Sequence, residues 1–360
     1  MTRPVWAEVD RSALRHNLKV ARRLGQGRQV VAAVKANAYG HGLAEVARAL
    51  APDTDLLGVA ALDEACELRA AGVEAPVLLF EGPFDADEIE PADRLGCELC
   101  VHSSWQLQLL ESVAPRRPQR LWIKLDTGMH RLGFAPEQAS ELARTLARWP
   151  WVKQLVWTTH LAQADTPERG YTQRQLAAFH GAVASLPGQS SIFASAGILS
   201  APTQGPADHY VRPGIMLYGA TPFRASTGAL WGLRPAMRLC SRIIAVRTLG
   251  AGEPVGYGGD FVTARPSRIA VVAAGYGDGY PRHAPSGTPV GVAGRTAVLV
   301  GRVSMDMLTI DITDLPWVDR GAEVELWGPQ VPAERLAQGA GTIPYALFTG
   351  VTRRVAVRYK

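Results

Sequence analysis

Val30-Val31-Ala32-Ala33-Val34, closed by Lys35, is the stretch on which the reading of the fold turns. Five apolar residues in a row with a charge at the end form a short buried strand rather than a helix, which would need roughly 10 residues or more. Comparable runs recur downstream at 56–59, 77–79, 98–101, 121–125, 154–158, 191–194 and 210–212. Amphipathic stretches such as 104–113 and 136–148 lie between them. Ser103 and Gln106 have the spacing of a capping box at the start of one such helix. Eight strand-helix units predict an α/β fold of the (β/α)8 TIM-type barrel; a doubly wound open sheet is the alternative.

Working outward, the texture changes beyond about residue 233 to β-rich segments at 239–248, 268–274, 296–303 and 307–312, separated by Gly and Pro clusters. A mainly β C-terminal domain is expected there. The predicted division is 10–232 for the barrel and 233–360 for the β domain, and the alternation Val5, Ala7, Val9 makes 1–9 a strand expected to join the latter. A length of 360 residues agrees with two domains, since single cores seldom grow beyond roughly 250–300 residues. No internal repeat of 20 to 50 residues stands out.

The composition is that of an ordinary globular protein: 47% hydrophobic, 20% charged and a mean hydropathy near zero exclude disorder and membrane classes. No apolar run reaches the roughly 18 residues of a membrane span, and residues 1–10 lack a signal-peptide pattern, so cytoplasmic residence is expected. Four cysteines provide no disulfide framework. Cys97 and Cys100 have C-x-x-C spacing, but without a second pair they read as packing residues and no metal is expected. The net charge of +5 comes from scattered arginines whose densest cluster, 116–120, has no interleaved aromatics; nucleic acid is not an expected partner. Only Lys19, Lys35, Lys124, Lys153 and Lys360 are lysines, which singles out any lysine at a strand end.

In such barrels the strand C-termini and the loops after them form the active face. Five of the predicted ends carry reactive or polar side chains: Lys35, Lys124, His160, Ser195 and Arg212. Lys35 follows an apolar strand, where partial burial would lower its pKa and favour Schiff-base chemistry, although a lone lysine there could equally snorkel to water. Ser195 and the Gly214-Ile215 backbone follow strands seven and eight, where barrel folds often place a phosphate site; taken singly they are also ordinary turn residues.

The neighbours of Lys35 decide its reading. Ala33-Val34-Lys35-Ala36-Asn37-Ala38-Tyr39-Gly40-His41-Gly42 resembles the cofactor-lysine signature of alanine racemases. Lys124-Leu125-Asp126-Thr127-Gly128-Met129-His130-Arg131-Leu132-Gly133 resembles that family's strand and loop beside the cofactor ring. The resemblance implies pyridoxal 5'-phosphate as cofactor, bound covalently by Lys35, with Arg131 on its phenolate oxygen, His160 against its ring and Arg212 on its ring nitrogen. It further implies Ser195, Gly214 and Ile215 at the phosphate, with phenolic donors from Tyr39 and Tyr345. In many family members the lysine at the Lys124 position carries a carbamate that orients the arginine, which makes Lys124 a candidate for the same modification.

Racemisation requires acid-base groups on both faces of the substrate α-carbon. The resemblance assigns them to Lys35 and to Tyr257 in the stretch Pro254-Val255-Gly256-Tyr257-Gly258-Gly259, the tyrosine being contributed by the partner subunit of a head-to-tail homodimer. It places Tyr276 where access narrows, and the Met305 N–H, with Arg131, at the substrate, L- or D-alanine. The implied activity is interconversion of the two enantiomers, supplying D-alanine for peptidoglycan precursors or racemising alanine for catabolism. Two departures stand out: Ala194 where the family commonly has asparagine, and Ala346 where an acidic residue often follows the tyrosine. The rival readings are a pyridoxal-dependent decarboxylase, which resembling relatives run with a carboxylate rather than Arg212 at the ring nitrogen, a broad-specificity racemase, and a non-catalytic binding barrel.

Overall fold

A computed structural model of the chain describes residues 3–166, 170–200, 209–224 and 226–360. It divides into two compact units: one of 15–38 and 43–217, the other of the N-terminal residues through Leu14, Tyr39–Gly42 and Tyr218–Lys360.

Strand β1 (Val5–Val9) precedes eight parallel strands: β2 (Gln29–Ala33), β3 (Leu56–Val59), β4 (Val77–Leu79), β5 (Cys97–Val101), β6 (Gln119–Lys124), β7 (Val152–Thr158), β8 (Gln189–Ala194) and β9 (Tyr210–Arg212). They close in sequence order, β9 pairing back onto β2. The (β/α)8 barrel is therefore the architecture, and the open sheet is excluded. Its interior is a packed apolar layer that includes Val31, Leu56, Leu78, Cys100, Trp122 and Val156. Below it, Glu98 accepts from Arg120 Nε (2.8 Å) and Trp122 Nε1 (2.7 Å), and Tyr210 lies under the Arg120 guanidinium while donating to Gln189 Oε1.

Two local expectations fail. The capping box is not formed: Ser103 Oγ bonds His102 Nδ1 (2.7 Å) instead of the helix backbone. Gln106 reaches back to the His102 N–H (2.9 Å) and turns its amide onto the Glu81 and Pro83 carbonyls. The imidazole next door offered the hydroxyl a better partner than the helix did. The predicted helix at 136–148 is a 3-10 turn, Pro136–Gln138, running into a shorter α-helix, Ala139–Leu146.

The other unit is built on β10 (Met237–Leu249), which pairs antiparallel with β1. After a small ladder of β11 (Pro254–Val255) and β12 (Phe261–Val262) come β13 (Ser267–Val272), β14 (Pro289–Val292), β15 (Arg295–Leu299), β16 (Leu308–Asp311), β17 (Glu323–Trp327) and β18 (Ala356–Tyr359). The large sheet runs β13-β16-β15-β14-β17-β10-β1-β18, and β13 returns to β10 beyond a register shift at Ile243/Ala245. β1 is paired with β10 on one edge and, parallel, with β18 on the other. Among the described residues no helix is long and apolar enough to cross a membrane.

Candidate active site

In the barrel, β2 delivers Lys35 into a helical turn, Lys35–Gly40, of unusual hand: Ala36, Asn37, Ala38 and Tyr39 have φ of 53°, 54°, 51° and 53°. Left-handed helix costs L-residues roughly 1–2 kcal/mol each, so four non-glycine residues in succession must be held by their surroundings. Glu64 is one such tie: its carboxylate accepts from the Ala36 N–H (2.6 Å) and the Ala60 N–H (2.7 Å), joining the ends of β2 and β3. Asn37 Oδ1 accepts from the Leu43 N–H. Nothing in the sequence signalled Glu64. Lys35 is half-buried, and among the described residues no hydrogen bond or ion pair restrains its Nζ.

Lys124 ends β6 and Arg131 lies on the loop that folds back to it, closed by Asp126 N–H to Phe134 O and Phe134 N–H to Lys124 O. Asp126 Oδ1 shapes the loop by accepting from the N–H groups of Gly128, Met129 and His130. Lys124 has its pKa held down to about 8, by burial first, then by Arg212 and Arg131, against an opposing pull from Cys100 and Asp126. His160, just beyond β7, is held down at about 3 by burial, reinforced by Arg212, Lys124, Arg131 and Lys35. It is therefore a neutral imidazole at neutral pH, with Arg212, Lys124, Arg131 and Lys35 all opposing its protonation.

Arg212 is buried at the end of β9 and donates to Ser191 Oγ (2.5 Å), Thr159 O (2.6 Å) and Ile192 O (3.2 Å). Ser195, at the end of β8, accepts from the Gly214 N–H (2.9 Å) and the Met216 N–H (3.3 Å). Gly214 thus spends its N–H on the serine. The hydroxyl accepts at both lone pairs, which leaves its proton free to donate, and among the described residues the Ile215 N–H has no acceptor. The barrel unit thus brings together Lys35, Lys124, Arg131, His160, Ser195 and Arg212.

The remaining candidates belong to the other unit. Tyr39 stacks on Tyr218 (4.6 Å between centroids) and lies 5.9 Å from Tyr345; burial pushes its pKa up to about 12, which keeps the phenol protonated. Tyr257 is 69% exposed on a turn, Tyr257–Gly259, between β11 and β12. Tyr276 and Met305 occupy two facing turns, and the Met305 N–H has no acceptor among the described residues. Cys97 and Cys100 are buried thiols, each pushed up to about 11 by burial.

The fold is that of a (β/α)8 barrel followed by a β-rich unit, and the side chains gathered at the C-terminal ends of its strands are where barrel enzymes carry their chemistry. The family models of the alanine racemase N-terminal domain and C-terminal domain match residues 9–222 and 236–359. The chain is 50% identical over 355 residues to the biosynthetic alanine racemase of Escherichia coli and 48% over 351 residues to the catabolic alanine racemase of Pseudomonas putida, with 98% of each chain covered in both cases. Its fold matches the biosynthetic alanine racemase of Pseudomonas aeruginosa with a TM-score of 0.96 at 44% identity, covering all of both chains. It also matches the alanine racemase of Bartonella henselae, solved with covalently bound pyridoxal phosphate, with a TM-score of 0.86 at 30% identity over 99% of each chain. The chain belongs to the alanine racemase family, which are pyridoxal-phosphate-dependent amino-acid isomerases.

Proposed function

We propose that this chain interconverts L- and D-alanine by a two-base mechanism, as a cytoplasmic homodimer in which the body 10–232 holds the cofactor and the body 233–360 serves the partner's site. The observation that carries the proposal is the gathering of Lys35, Lys124, Arg131 and Arg212 around a neutral His160 at the strand ends. The donor set suits pyridoxal 5'-phosphate: an unrestrained amine, a Ser195 hydroxyl with its proton free to donate, the Ile215 N–H and fixed cations fit an aldehyde, a phosphate and a phenolate.

Bound there, the cofactor would supply the electron sink that acidifies the substrate α-proton. Lys35 would hold it covalently and, once released, take or return a proton at one face of the α-carbon. Tyr257 of the partner subunit would serve the opposite face, a role its exposure here supports. Arg131 would donate to the phenolate oxygen, and Lys124, with its amine brought near neutrality, could accept carbon dioxide as a carbamate that orients Arg131. His160, uncharged, would pack against the ring. Arg212, held by Ser191, Thr159 and Ile192, would present a fixed cation to the ring nitrogen and keep it unprotonated, which limits carbanion lifetime and side reactions. Ser195, the Gly214-Ile215 turn, Tyr39 and Tyr345 would bind phosphate; the Met305 N–H would meet the substrate carboxylate, and Tyr276 would narrow the space to alanine.

The test is the optical rotation of L-alanine over time with purified protein and pyridoxal phosphate, beside Lys35→Ala. Decay to zero with the wild type alone supports the reading; unchanged rotation from cofactor-loaded dimer overturns it. Mixing Lys35→Ala with Tyr257→Phe tests the shared site, because subunit exchange should restore one complete site, and absent recovery despite proven exchange refutes it. A carbon-13 carbamate signal from labelled bicarbonate that disappears in Lys124→Ala would support the modification.

A further inference from the structure

Met305 and Tyr276 sit on turns that grip each other within the antiparallel unit. The Tyr276 N–H donates to Ser304 O (3.1 Å) and the Gly277 N–H to Met305 O (2.9 Å). The approach is so close that a Cβ on Gly275 would stand 2.2 Å from Ser304 O. Beneath them lies the carboxylate of Asp278, whose side chain has no exposed surface. It accepts from the Gly275 N–H (3.0 Å) and, bidentately, from Arg3 Nη1 (2.9 Å) and Nη2 (3.1 Å), with Arg354 Nε 3.4 Å away. The same two guanidiniums reach the neighbouring turn: Arg3 Nη2 donates to Asp306 O (3.0 Å) and Arg354 Nη2 to the Asp306 carboxylate (2.5 Å).

One buried carboxylate and two arginines from opposite ends of the sequence thus cross-brace the turn of Tyr276 to the turn of Met305. Bidentate arginine–carboxylate pairs fix orientation as well as distance, and a buried carboxylate that loses one of its cations must shift or rehydrate. Either response would move the backbone of 304–306. We infer that Arg3 and Arg354 are positioning residues for the substrate: acting through Asp278, they hold the Met305 N–H where it meets a carboxylate. This rests on the role given to Met305 above. Neither arginine touches the reacting atoms, and Arg3 precedes the first strand.

The experiment compares wild type, Arg3→Met and the milder Arg3→Lys as holoenzymes, measuring kcat and KM for both alanine enantiomers, the inhibition constant of acetate as an unreactive carboxylate, and the thermal midpoint. Misplacement of a carboxylate donor should raise KM and the acetate constant together, about three- to tenfold in Arg3→Met and less in Arg3→Lys, with kcat within about twofold. A lower thermal midpoint with KM and the acetate constant unchanged would overturn the inference, leaving the brace merely structural. Wild type that leaves alanine unracemised would instead overturn the function on which the inference rests.

Discussion

The two ends of the barrel interior treat charge in opposite ways. At the N-terminal end, the Arg120 guanidinium has the Glu98 carboxylate, which also takes the Trp122 N–H, and Tyr210 fills the space beneath. At the C-terminal end, Lys35, Lys124, Arg131 and Arg212 all oppose the protonation of one imidazole, His160. Asp126 pulls on Lys124 from a distance, but among the described residues neither it nor Glu64 forms an ion pair with these cations; Asp126 accepts from three backbone N–H groups and Glu64 from two. Like charges brought together raise the energy of the folded chain unless an anion joins them. The matched end is therefore built for stability, and the unmatched end has the charge that an anionic ligand would complete, as proposed above; this is the division expected of barrel enzymes.

The comparison can be broken or sharpened by experiment. Lys35→Ala at the unmatched end should lower racemisation by about 10³-fold or more and abolish the visible absorbance of the lysine-bound cofactor, while leaving the apoprotein at least as stable as before. A large loss of apoprotein stability would show that end to be structural too. Glu98→Gln at the matched end should do the reverse, costing roughly 2–3 kcal/mol in urea unfolding with kcat within about twofold of wild type. Collapse of activity without loss of stability would erase the distinction.

His160 sharpens it through pH. Its folded pKa, about 3, lies below the unfolded value of about 6.5, so the unfolded chain binds more protons between them. Stability contributed at this position is thus complete above about pH 6.5 and is lost as pH falls towards 3. His160→Gln should remove roughly 1–3 kcal/mol of the stability difference between pH 7 and pH 4.5; an unchanged difference would mean that the imidazole already titrates normally. The smallest effect is expected at Ala36, whose φ of 53° suits glycine: Ala36→Gly should stabilise by about 0.5–1 kcal/mol, strain relief outweighing the entropy given to the unfolded chain. Destabilisation would show that the turn is not strained.

The barrel was legible because most of its strands carry a short apolar run, such as 30–34 and 77–79, and recur between amphipathic stretches. Lys35 stood out as a candidate because lysine is scarce and a long motif surrounds it. Strands β14, β17 and β18 escaped notice because antiparallel pairing depends on partners remote in sequence, as when Gly291 and Val292 meet Glu325 and Val324. The capping box misled because its spacing takes no account of a competing partner, and the Ser103 hydroxyl pairs instead with Nδ1 of His102 beside it. Glu64 and Asp278 left no mark, since a carboxylate's acceptance of backbone N–H groups is a property of the folded chain. The hand of the turn at 36–39 was equally invisible: nothing about Ala36 or Ala38 favours positive φ.

The pairing of β1 between β10 and β18 has a consequence for biosynthesis. At roughly 5–20 residues per second, the first strand leaves the ribosome some 10–50 s before β10 and about 20–70 s before β18. All eight strands of the barrel emerge in that interval, each next to its sequence neighbour, so the barrel can close while β1 still has two bare edges. Translation speed and chaperone cover over that wait, rather than the stability of the finished molecule, should then set how much of the chain reaches its native state.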